Sequence, residues 1–420
     1  MRIGCISTRL AGTDGVSLEA AKLTTVLHRM GHQVFYCAGE LDADGPPGEL
    51  IPEMHFSVPE ARWIHDHAFG TTLTHPDLQR RIEALAGFLR TALGDFLTEY
   101  GIDLIIPQNA LTIPMHIPLG VALADLIEAT GIPAIAHHHD FYWERERFLT
   151  NCVLGILDRA FPPDLPTMRH AVINSLAQAE LKRRRGIDAI VLPNVFDFDA
   201  PVPGVDDFNA DLRQAIGLAA DDLFILQPTR VVPRKGIESS LELVSRLKMP
   251  NAKLVITHAA GDEGLDYLHA LMGRAQEMGV DLRYVADHFA PSREVAPDGR
   301  KTYALWDAYV QADLVTYPSF IEGFGNALVE TIYFKLPALI NRYPVYAADI
   351  GPLGFDFVEI NGTITTEAVN QVRDLLIDLQ RRQQMVEHNF QLGQEHFSYQ
   401  VLEMKMRPLL QQFREAKTTH

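Results

Sequence analysis

The fold is decided by the stretch YPSFIEGFGNALVETIYFKLPALI, residues 317–340, which passes from an apolar run through a glycine-rich turn into a segment of helical character. The run DLVTYPS (313–319) has the composition of a buried strand, and GNALVETIYF (325–334) has that of a helix. A strand, a short turn and a helix in this order predict one unit of a parallel α/β sheet. The turn carries Glu322, and Glu330 follows in the helix, although a turn that only reverses the chain needs no acid.

The same alternation extends in both directions from this stretch. We interpret the segment FDFDAPVPGVDDFNA (196–210), rich in Pro, Asp and Gly, as an interdomain linker. The strands predicted before it lie at 2–7, 32–39, 102–109, 132–140, 170–175 and 189–194. The strands predicted after it lie at 223–229, 252–258, 282–287, 314–319 and 337–342, and residues 374–413 are predicted to be helical.

This pattern predicts an α/β protein of two doubly wound, Rossmann-like domains that face a central cleft. The N-terminal domain is expected at 1–198, together with residues 395–420 as a C-terminal helix that crosses back to it. The C-terminal domain is expected at 199–394. Ligands of such sheets bind at the carboxyl ends of the strands, so the loops there are the candidate functional residues.

The composition is that of a globular protein with no transmembrane segment. The chain has 420 residues, 47% hydrophobic and 22% charged, and no stretch approaches the roughly 20 apolar residues of a membrane span. Met1 leads directly into a predicted strand, and a signal peptide is not expected. The cysteines, Cys5, Cys37 and Cys152, lack the spacing of a metal site and are expected to be reduced, which predicts a cytoplasmic protein.

The charge balance restricts the partners. There are 54 acidic and 37 basic residues, giving a formal net charge of −17, which repels nucleic acid and anionic lipid. A small phosphorylated ligand is compatible with this charge only where the protein offers a local positive pocket. Arg230 and Lys235 in QPTRVVPRKGIESS (227–240) follow a predicted strand and supply such a pocket, although a surface basic turn is an alternative.

The turn after the strand at 314–319 suits an oxygen-rich anion. Gly323 and Gly325 let backbone amides approach a ligand closely, and the start of the helix adds partial positive charge. Glu322 and Glu330 would accept hydrogen bonds from ligand hydroxyls. Two carboxylates beside an anion site fit a ligand with diols at both ends of a diphosphate, as in a nucleotide sugar.

The two glutamates resemble the E-x7-E signature of retaining glycosyltransferases with the GT-B fold, the large family four that is also called glycosyl transferases group one. The resemblance implies that Glu322 holds the donor hexose and that Glu330 binds the ribose. It implies that Arg230 and Lys235 clamp the diphosphate and stabilise the charge of the leaving group, so that no metal and no cofactor is expected. Further donor contacts are expected from Gly323, Phe324, Gly325, Asn326 and Leu328. A departure from the family is the bulky stretch TIYFKLPALI (331–340) after the second glutamate.

The loop STRLAGTDGVSLEAAKL (7–23) lies between the first predicted strand and the first helix. A nicotinamide-dinucleotide site would need a G-x-G-x-x-G fingerprint, which is missing here. The family has a glycine-rich loop at this point that contacts donor phosphate or acceptor. The resemblance therefore implies donor contacts from Gly12 and Gly15 and acceptor contacts from Thr13, Asp14 and Ser17.

The stretch AIAHHHDFYWERERF (134–148) places His137, His138 and His139 at a strand end. Neighbouring side chains of a strand point to opposite faces, so adjacent histidines cannot all ligate one metal ion, and a buried polar cluster is an alternative. In the family, a histidine at this strand end donates towards the 6-hydroxyl of the donor hexose. The resemblance implies this role for His139, which precedes Asp140, or else for His138.

The remaining assignments rest on their place at strand ends. Gln108 and Asn109 are expected to bind acceptor hydroxyls or to cap the next helix. Asp140 and Arg145 are expected on the acceptor side, although Arg145 and Arg147 are as readily explained by pairing with Glu144 and Glu146. Asp287 lies where the family contacts the nucleobase. Asn194 corresponds to the Asn of the family's PNG motif, and Val195 stands here in place of the Gly. The basic run LKRRRG (181–186) is interpreted as a solvated helix end.

We therefore predict a retaining hexosyltransferase that moves a glucose- or mannose-type sugar from a UDP- or GDP-type nucleotide diphosphate donor to a hydroxyl, by front-face attack and without metal. The acceptor is expected to be a soluble sugar, polyol or sugar acid. One alternative is a nucleotide-sugar epimerase or hydrolase of the same fold, with a base from the Asp140 region. Another is a non-catalytic nucleotide-sugar-binding protein, which would be expected to lack Arg230 or Lys235. Nothing in the sequence indicates an oligomeric state.

Overall fold

The computed structural model describes residues 1–260 and 264–418, with side chains to residue 414. The chain forms two compact units. The N-terminal unit comprises Met1–Pro193 and Tyr399–His420, and the C-terminal unit comprises Asn194–Ser398. Residues 419 and 420, the end of the predicted returning helix, lie outside the described part.

The N-terminal unit contains a seven-stranded sheet in the order β3-β2-β1-β4-β5-β6-β7, and every neighbouring pair is parallel. Its strands are β1 Arg2–Ile6, β2 Gln33–Ala38, β3 Gly48–Leu50, β4 Leu104–Pro107, β5 Ala134–His138, β6 Met168–Val172 and β7 Ala189–Val191. Its helices up to residue 185 are α1 Gly15–Arg29, α2 Pro59–Ala68, α3 Leu78–Glu99, α4 Ile117–Thr130, α5 Glu146–Leu149, α6 Leu154–Ala160 and α7 Ser175–Arg185.

Apolar strands and one very apolar helix form the core of this unit. Ile3, Ile105 and Ala134 on β1, β4 and β5 are fully buried, as expected of central parallel strands covered on both faces. From Ile117 to Ile127, helix α4 is buried at every residue except Asp125, and it packs against α3. The carboxyl edge of this well-packed sheet carries the polar loops.

The C-terminal unit contains a six-stranded parallel sheet in the order β10-β9-β8-β14-β15-β16 and a small three-stranded sheet, β11-β13-β12. The strands are β8 Leu223–Gln227, β9 Ala252–Ile256, β10 Asp281–Tyr284, β11 Phe289–Ala290, β12 Glu294–Val295, β13 Lys301–Ala304, β14 Leu314–Tyr317, β15 Ala338–Asn341 and β16 Val358–Ile360. The helices are α8 Leu212–Ala215, α9 Ile237–Leu247, α10 Asp266–Met278, α11 Leu305–Gln311, α12 Asn326–Tyr333, α13 Thr366–Ile377 and α14 Leu379–Phe397.

The predicted returning helix is confirmed as α15, Tyr399–Thr418, which packs against α1 in the N-terminal unit. The buried side chains Leu402, Met406 and Leu410 provide its apolar face. The continuous helical region predicted at 374–413 is wrong in detail, because the chain leaves helical geometry at Asp378 and Ser398. Asp378 caps α14 by accepting a hydrogen bond from Arg381 N at 2.9 Å.

The segment 196–210 does not connect the units as a linker. Phe196 and Phe198 are buried, and Phe196 N donates to Phe397 O at 2.8 Å within the C-terminal unit. Tyr333 Oη donates to Pro201 O at 3.0 Å. The Pro-, Asp- and Gly-rich composition therefore marks an irregular segment that is packed on one unit.

All predicted strands are present, and the two large sheets are parallel as predicted, whereas β12 and β13 of the small sheet pair antiparallel. The prediction missed β3, β11, β12, β13 and β16. These strands have two to four residues, which is too short for an alternating pattern to stand out from the neighbouring loops.

Candidate active site

The two loops singled out in the C-terminal unit meet because their strands are neighbours. Strands β8 and β14 pair in parallel, so both loops leave the sheet at the same edge. Phe320 N donates to Arg234 O at 2.9 Å and holds one loop against the other. Gly236 has φ +61°, and a Cβ there would lie 2.5 Å from Pro318 O, so the close approach requires glycine.

Lys235 and Glu322 form the centre of this contact. Lys235 Nζ donates to Glu322 Oε1, although the two residues are 87 positions apart in the sequence. Both side chains are only 9% exposed. Arg234 Nη1 lies 3.9 Å from the other oxygen of Glu322 and donates to Ile321 O. The predicted cation and the predicted sugar-holding acid therefore belong to one buried cluster.

Burial and the charges of this cluster shift the pKa values of Lys235 and Tyr317. Burial lowers the pKa of Lys235, and the charges of Arg234 and Arg230 lower it further against the opposing effect of Glu322. Burial and the charge of Glu322 raise the pKa of Tyr317 well above its ordinary value, so its hydroxyl stays protonated and donates to Glu322. Arg230 is exposed at the start of its loop. Three cations and one acid make this strand edge positive, in a protein whose net charge is −17.

The glycine turn after Glu322 is shaped by Gly325. This residue has φ +123°, and a Cβ there would lie 2.4 Å from Tyr343 Oη. Tyr343 Oη donates to Phe324 O at 2.8 Å, and this hydrogen bond holds the backbone of the turn in place. Helix α12 begins at Asn326, so its first amides point at the same edge as Lys235.

The other residues predicted to contact the donor differ in their burial and in their hydrogen-bond partners. Phe324 and Leu328 are buried in the core, so only their backbone amides can reach a ligand. Asn326 accepts a hydrogen bond from Asn194 Nδ2. Glu330 Oε2 accepts from the buried Tyr309 Oη at 2.9 Å, which orients the carboxylate. Asp287 is exposed in a turn after β10, two strands from β8.

A histidine that the sequence analysis did not select, His258, follows β9 at the same edge. Strand β9 is the neighbour of β8 on the side away from β14. Burial, and then the charges of Lys235 and Arg230, lower the pKa of His258 to about 4. The signal for it was present, because this histidine ends the predicted strand AKLVITH (252–258).

The loop after β1 is a helix cap. Asp14 accepts hydrogen bonds from Val16 N at 3.0 Å and Ser17 N at 3.2 Å, and Ser17 Oγ donates to it at 2.7 Å. Arg9 Nη2 lies 3.0 Å from the same carboxylate. Of the side chains predicted to bind acceptor, Asp14 and Ser17 are thus engaged within the loop, while Thr13 is exposed, as are Gly12 and Gly15.

The three histidines alternate as predicted. His137 Nδ1 lies 2.9 Å and His139 Nε2 3.4 Å from Gln108 Oε1. His138 points the other way, between Thr112 Oγ1 at 2.6 Å and His170 Nδ1 at 2.9 Å. Burial lowers the pKa of all three, in the case of His139 to about 4, so they are neutral near pH 7.

Of the two histidines considered for the donor contact, His139 is the better candidate. His138 has both ring nitrogens occupied by protein groups, whereas among the described residues the ring of His139 has one hydrogen-bonding neighbour, Gln108. Within the part of the chain that the structure describes, the buried Gln108 Nε2 and His137 Nε2 have no hydrogen-bond partner.

Asn109 and Asp140 connect the carboxyl ends of β4 and β5 by hydrogen bonds. Asn109 Nδ2 donates to Asp140 Oδ1 at 2.8 Å, and Asn109 Oδ1 accepts from His139 N at 3.0 Å. Arg145 Nε donates to Asp140 Oδ2 at 2.6 Å. The pairing expected with Glu144 or Glu146 is therefore wrong for Arg145, because the carboxylate of Asp140 stands closer to its guanidinium.

The basic run at 181–186 lies at the end of α7, where residues 182–184 are exposed as predicted for a solvated helix end, and its side chains pair with acids outside the run. Arg183 and Arg184 contact Glu180, at 2.6 and 2.8 Å. Lys182 contacts Asp188 at 2.8 Å, and Arg185 contacts Asp158 at 3.2 Å.

Among residues 1–260 and 264–418, no helix combines the length and the apolar character needed to cross a membrane. Among the same residues, no three His, Cys, Asp or Glu side chains come together in a way that could hold a metal ion.

Comparison with known proteins gives a consistent group of relatives. A family model described as glycosyl transferases group 1 matches residues 208–391. The chain is similar to the mannosylglucosylglycerate synthase of Thermotoga maritima, with 35% identity over 96% of this chain and 98% of that protein. It is also similar to the mannosylglucosylglycerate synthase of Petrotoga mobilis, with 33% identity over 86% of each chain. Among solved structures it is similar to sucrose-phosphate synthase from Thermosynechococcus elongatus, with a TM-score of 0.67, 17% identity and 99% of each chain covered.

Proposed function

The chain belongs to the group 1 glycosyltransferases, and we propose that it transfers a mannosyl group from a nucleoside diphosphate mannose to glucosylglycerate. It is a glycosyltransferase with the GT-B fold, and a nucleotide sugar is its hexosyl donor. The choice of mannose and of a sugar-acid acceptor rests on the two relatives, whose name describes a product composed of mannosyl, glucosyl and glycerate groups.

The observation that carries the catalytic proposal is the contact of Lys235 with Glu322 beside the start of α12. We assign Lys235 and Arg230 to the donor diphosphate, and Glu322 with the amides of 323–326 to the hexose. Glu330 is assigned to the ribose hydroxyls. The positive edge in an otherwise acidic protein supports this assignment, because a diphosphate needs such a field and a neutral sugar does not.

The proposed reaction retains the anomeric configuration. The acceptor hydroxyl oxygen bonds to the anomeric carbon on the face from which the diphosphate oxygen departs, through an oxocarbenium-like state. The hydroxyl proton passes to the departing diphosphate. Lys235, Arg230 and the helix amides offset the charge that develops on this leaving group, so the proposed mechanism uses no metal.

On the acceptor side we propose contacts from the strand ends of the N-terminal unit. Gln108 and Asn109 follow β4 at its carboxyl end, and amide side chains offer both donors and acceptors, which suits sugar hydroxyls. His139, at the end of β5, keeps the role that the family resemblance gives it, a contact with the 6-hydroxyl of the donor hexose. The hydrolase alternative needs a free base near Asp140, whose carboxylate is occupied by Asn109 and Arg145.

We also propose a cytoplasmic location. Cys5 and Cys37 are free thiols buried in β1 and β2, and Cys152 is a free thiol too. The reducing cytoplasm preserves thiols of this kind.

The test is a panel of labelled UDP-, GDP- and ADP-sugars, with and without glucosylglycerate. We expect turnover with a mannosyl donor, and only in the presence of acceptor. NMR of the product should show an α-linkage when the donor sugar is α-linked, as retention requires. Excess chelator should leave the rate unchanged. Donor consumption without acceptor would instead support a hydrolase or epimerase, and binding without turnover would support a non-catalytic binding protein.

We expect Arg230→Ala to lower the transfer rate by about 10²-fold, because one of the two cations on the leaving diphosphate is lost. The residue is exposed, so the unfolding midpoint should remain that of the wild type. The matched control is Arg274→Ala, which removes an exposed arginine from α10. A wild-type rate in Arg230→Ala would contradict the diphosphate assignment.

We expect Glu330→Ala to raise the KM for the donor by about tenfold with a smaller change in kcat, because a ribose contact is present in the bound state and the transition state alike. Tyr309→Phe is the control, since it removes the hydroxyl that donates to Glu330 and keeps the carboxylate. An unaltered donor affinity in Glu330→Ala would count against the ribose assignment.

A further inference from the structure

His258 is positioned by sheet register at the edge that carries the donor site. Gln227 of β8 pairs with Ile256 of β9, so the chain beyond Ile256 runs beside the segment that leads to Arg230. His258 Nδ1 lies 3.3 Å from Thr257 Oγ1. In the following turn, Ala260 N donates to Tyr284 Oη of β10 at 2.9 Å, which ties this loop to the sheet.

The surroundings of His258 are positive. Of the described groups, Lys235 and Arg230 act on it, and both disfavour the protonated imidazole. The residue is also partly buried, so it is uncharged near pH 7 in the free protein. Strand β9, which leads to His258, is the neighbour of β8, which leads to Arg230 and Lys235, so one anion at this sheet edge can be shared by the imidazole and the two cations.

We propose that His258 donates a hydrogen bond to the diphosphate of the donor, as a third contact beside Lys235 and Arg230. This inference rests on the proposed function and adds a residue to the donor site. Arginine and lysine provide permanent charge. His258 provides a donor that becomes charged only when the diphosphate is present, because the bound anion stabilises the imidazolium.

A consequence is proton uptake on binding. The pKa of His258 is low in the free protein and rises in the complex. At a pH between these two pKa values, the imidazole therefore takes up a proton when the ligand binds. Affinity for a nucleoside diphosphate should therefore increase as the pH falls towards about 6. The free ligand's own phosphate titrates in the same range, and this part of the pH dependence is the same for every protein variant.

The experiment is calorimetric titration of UDP, GDP and ADP into the full chain, near pH 6 and pH 8, in buffers of different protonation enthalpy. We expect His258→Ala to bind the preferred nucleoside diphosphate about tenfold more weakly than the wild type near pH 6, with less proton uptake. His258→Gln should regain part of the affinity, since the amide can donate, and should show no histidine-linked uptake. His269→Gln, an exposed histidine on α10, is the matched control and should behave as the wild type.

Equal affinity and equal proton uptake in the wild type and in folded His258→Ala would overturn the inference while leaving the donor site intact. Failure of the wild type to bind any of the three nucleotides would overturn the donor site itself, and with it the role of His258. Thermal unfolding of each variant establishes that the fold is present in the titrated sample.

Discussion

Lys235→Ala should reduce the transfer rate by about 10³-fold, the range seen when one preorganised group that stabilises developing charge is removed. The ammonium group of Lys235 is held by Glu322 and is only 9% exposed, so it needs no reorganisation when the diphosphate departs. The rate is measured as kcat with saturating donor and acceptor, below the unfolding midpoint of the variant. The loss should exceed that of Arg230→Ala, because Arg230 is exposed and its charge is screened by water.

The control for this experiment is again Arg274→Ala, which changes the net charge by the same amount at an exposed site. Burst-phase or single-turnover kinetics then show whether the chemical step is the one that slows. A Lys235→Ala protein with wild-type kcat would refute the assignment of Lys235 to the leaving group.

Glu322→Ala should lower the free energy of unfolding by about 3 kcal/mol and abolish transfer, because it leaves the Lys235 ammonium buried without its counter-charge. Tyr317 also loses the acceptor for its hydroxyl. Burial already lowers the pKa of Lys235, and Glu322 opposes that effect, so the pKa falls further in the variant. The unfolded lysine then binds more protons than the folded one, and the stability of the variant should rise with pH towards the ordinary lysine pKa.

The double variant Lys235→Met, Glu322→Leu separates stability from catalysis. Removing both charges together avoids an unpaired buried ion, so the double variant should be more stable than Glu322→Ala while remaining inactive. Denaturant unfolding and kcat are measured on the same samples. If Glu322→Ala were as stable as the wild type at every pH, the pair would not be the buried contact that the structure shows.

Local sequence patterns were sufficient for the architecture. A parallel strand covered on both faces is a short apolar run, and the helix after it has its own periodicity, so β8, β9, β14 and β15 were all readable without knowledge of their partners. The loop containing Glu322 was likewise visible, because a glycine-rich turn between a strand and a helix lies at the carboxyl end of the strand. Short edge strands such as β16 were missed, since three residues carry no period.

Contacts over long sequence separation were not readable in this way. Lys235 and Glu322 were each selected as candidates, but their direct contact depends on β8 and β14 being neighbours. His258 ends a predicted strand but was not selected, because the sequence does not show that this strand, β9, is the neighbour of β8, which leads to Arg230. The role of Asp14 as the N-cap of α1 also became clear only from the structure, while its contact with the acceptor stays a prediction.

By itself, then, the sequence determined the two α/β units, the order of their strands along the chain and the residue types at the strand ends, because these depend on interactions between residues close in the chain. Only the tertiary structure decided which strand ends are adjacent, which side chains are buried and which charged groups lie together at one sheet edge. Hydrogen bonding between strands sets those distances, and burial sets the energies of the charges, and neither is encoded in any single stretch of the chain.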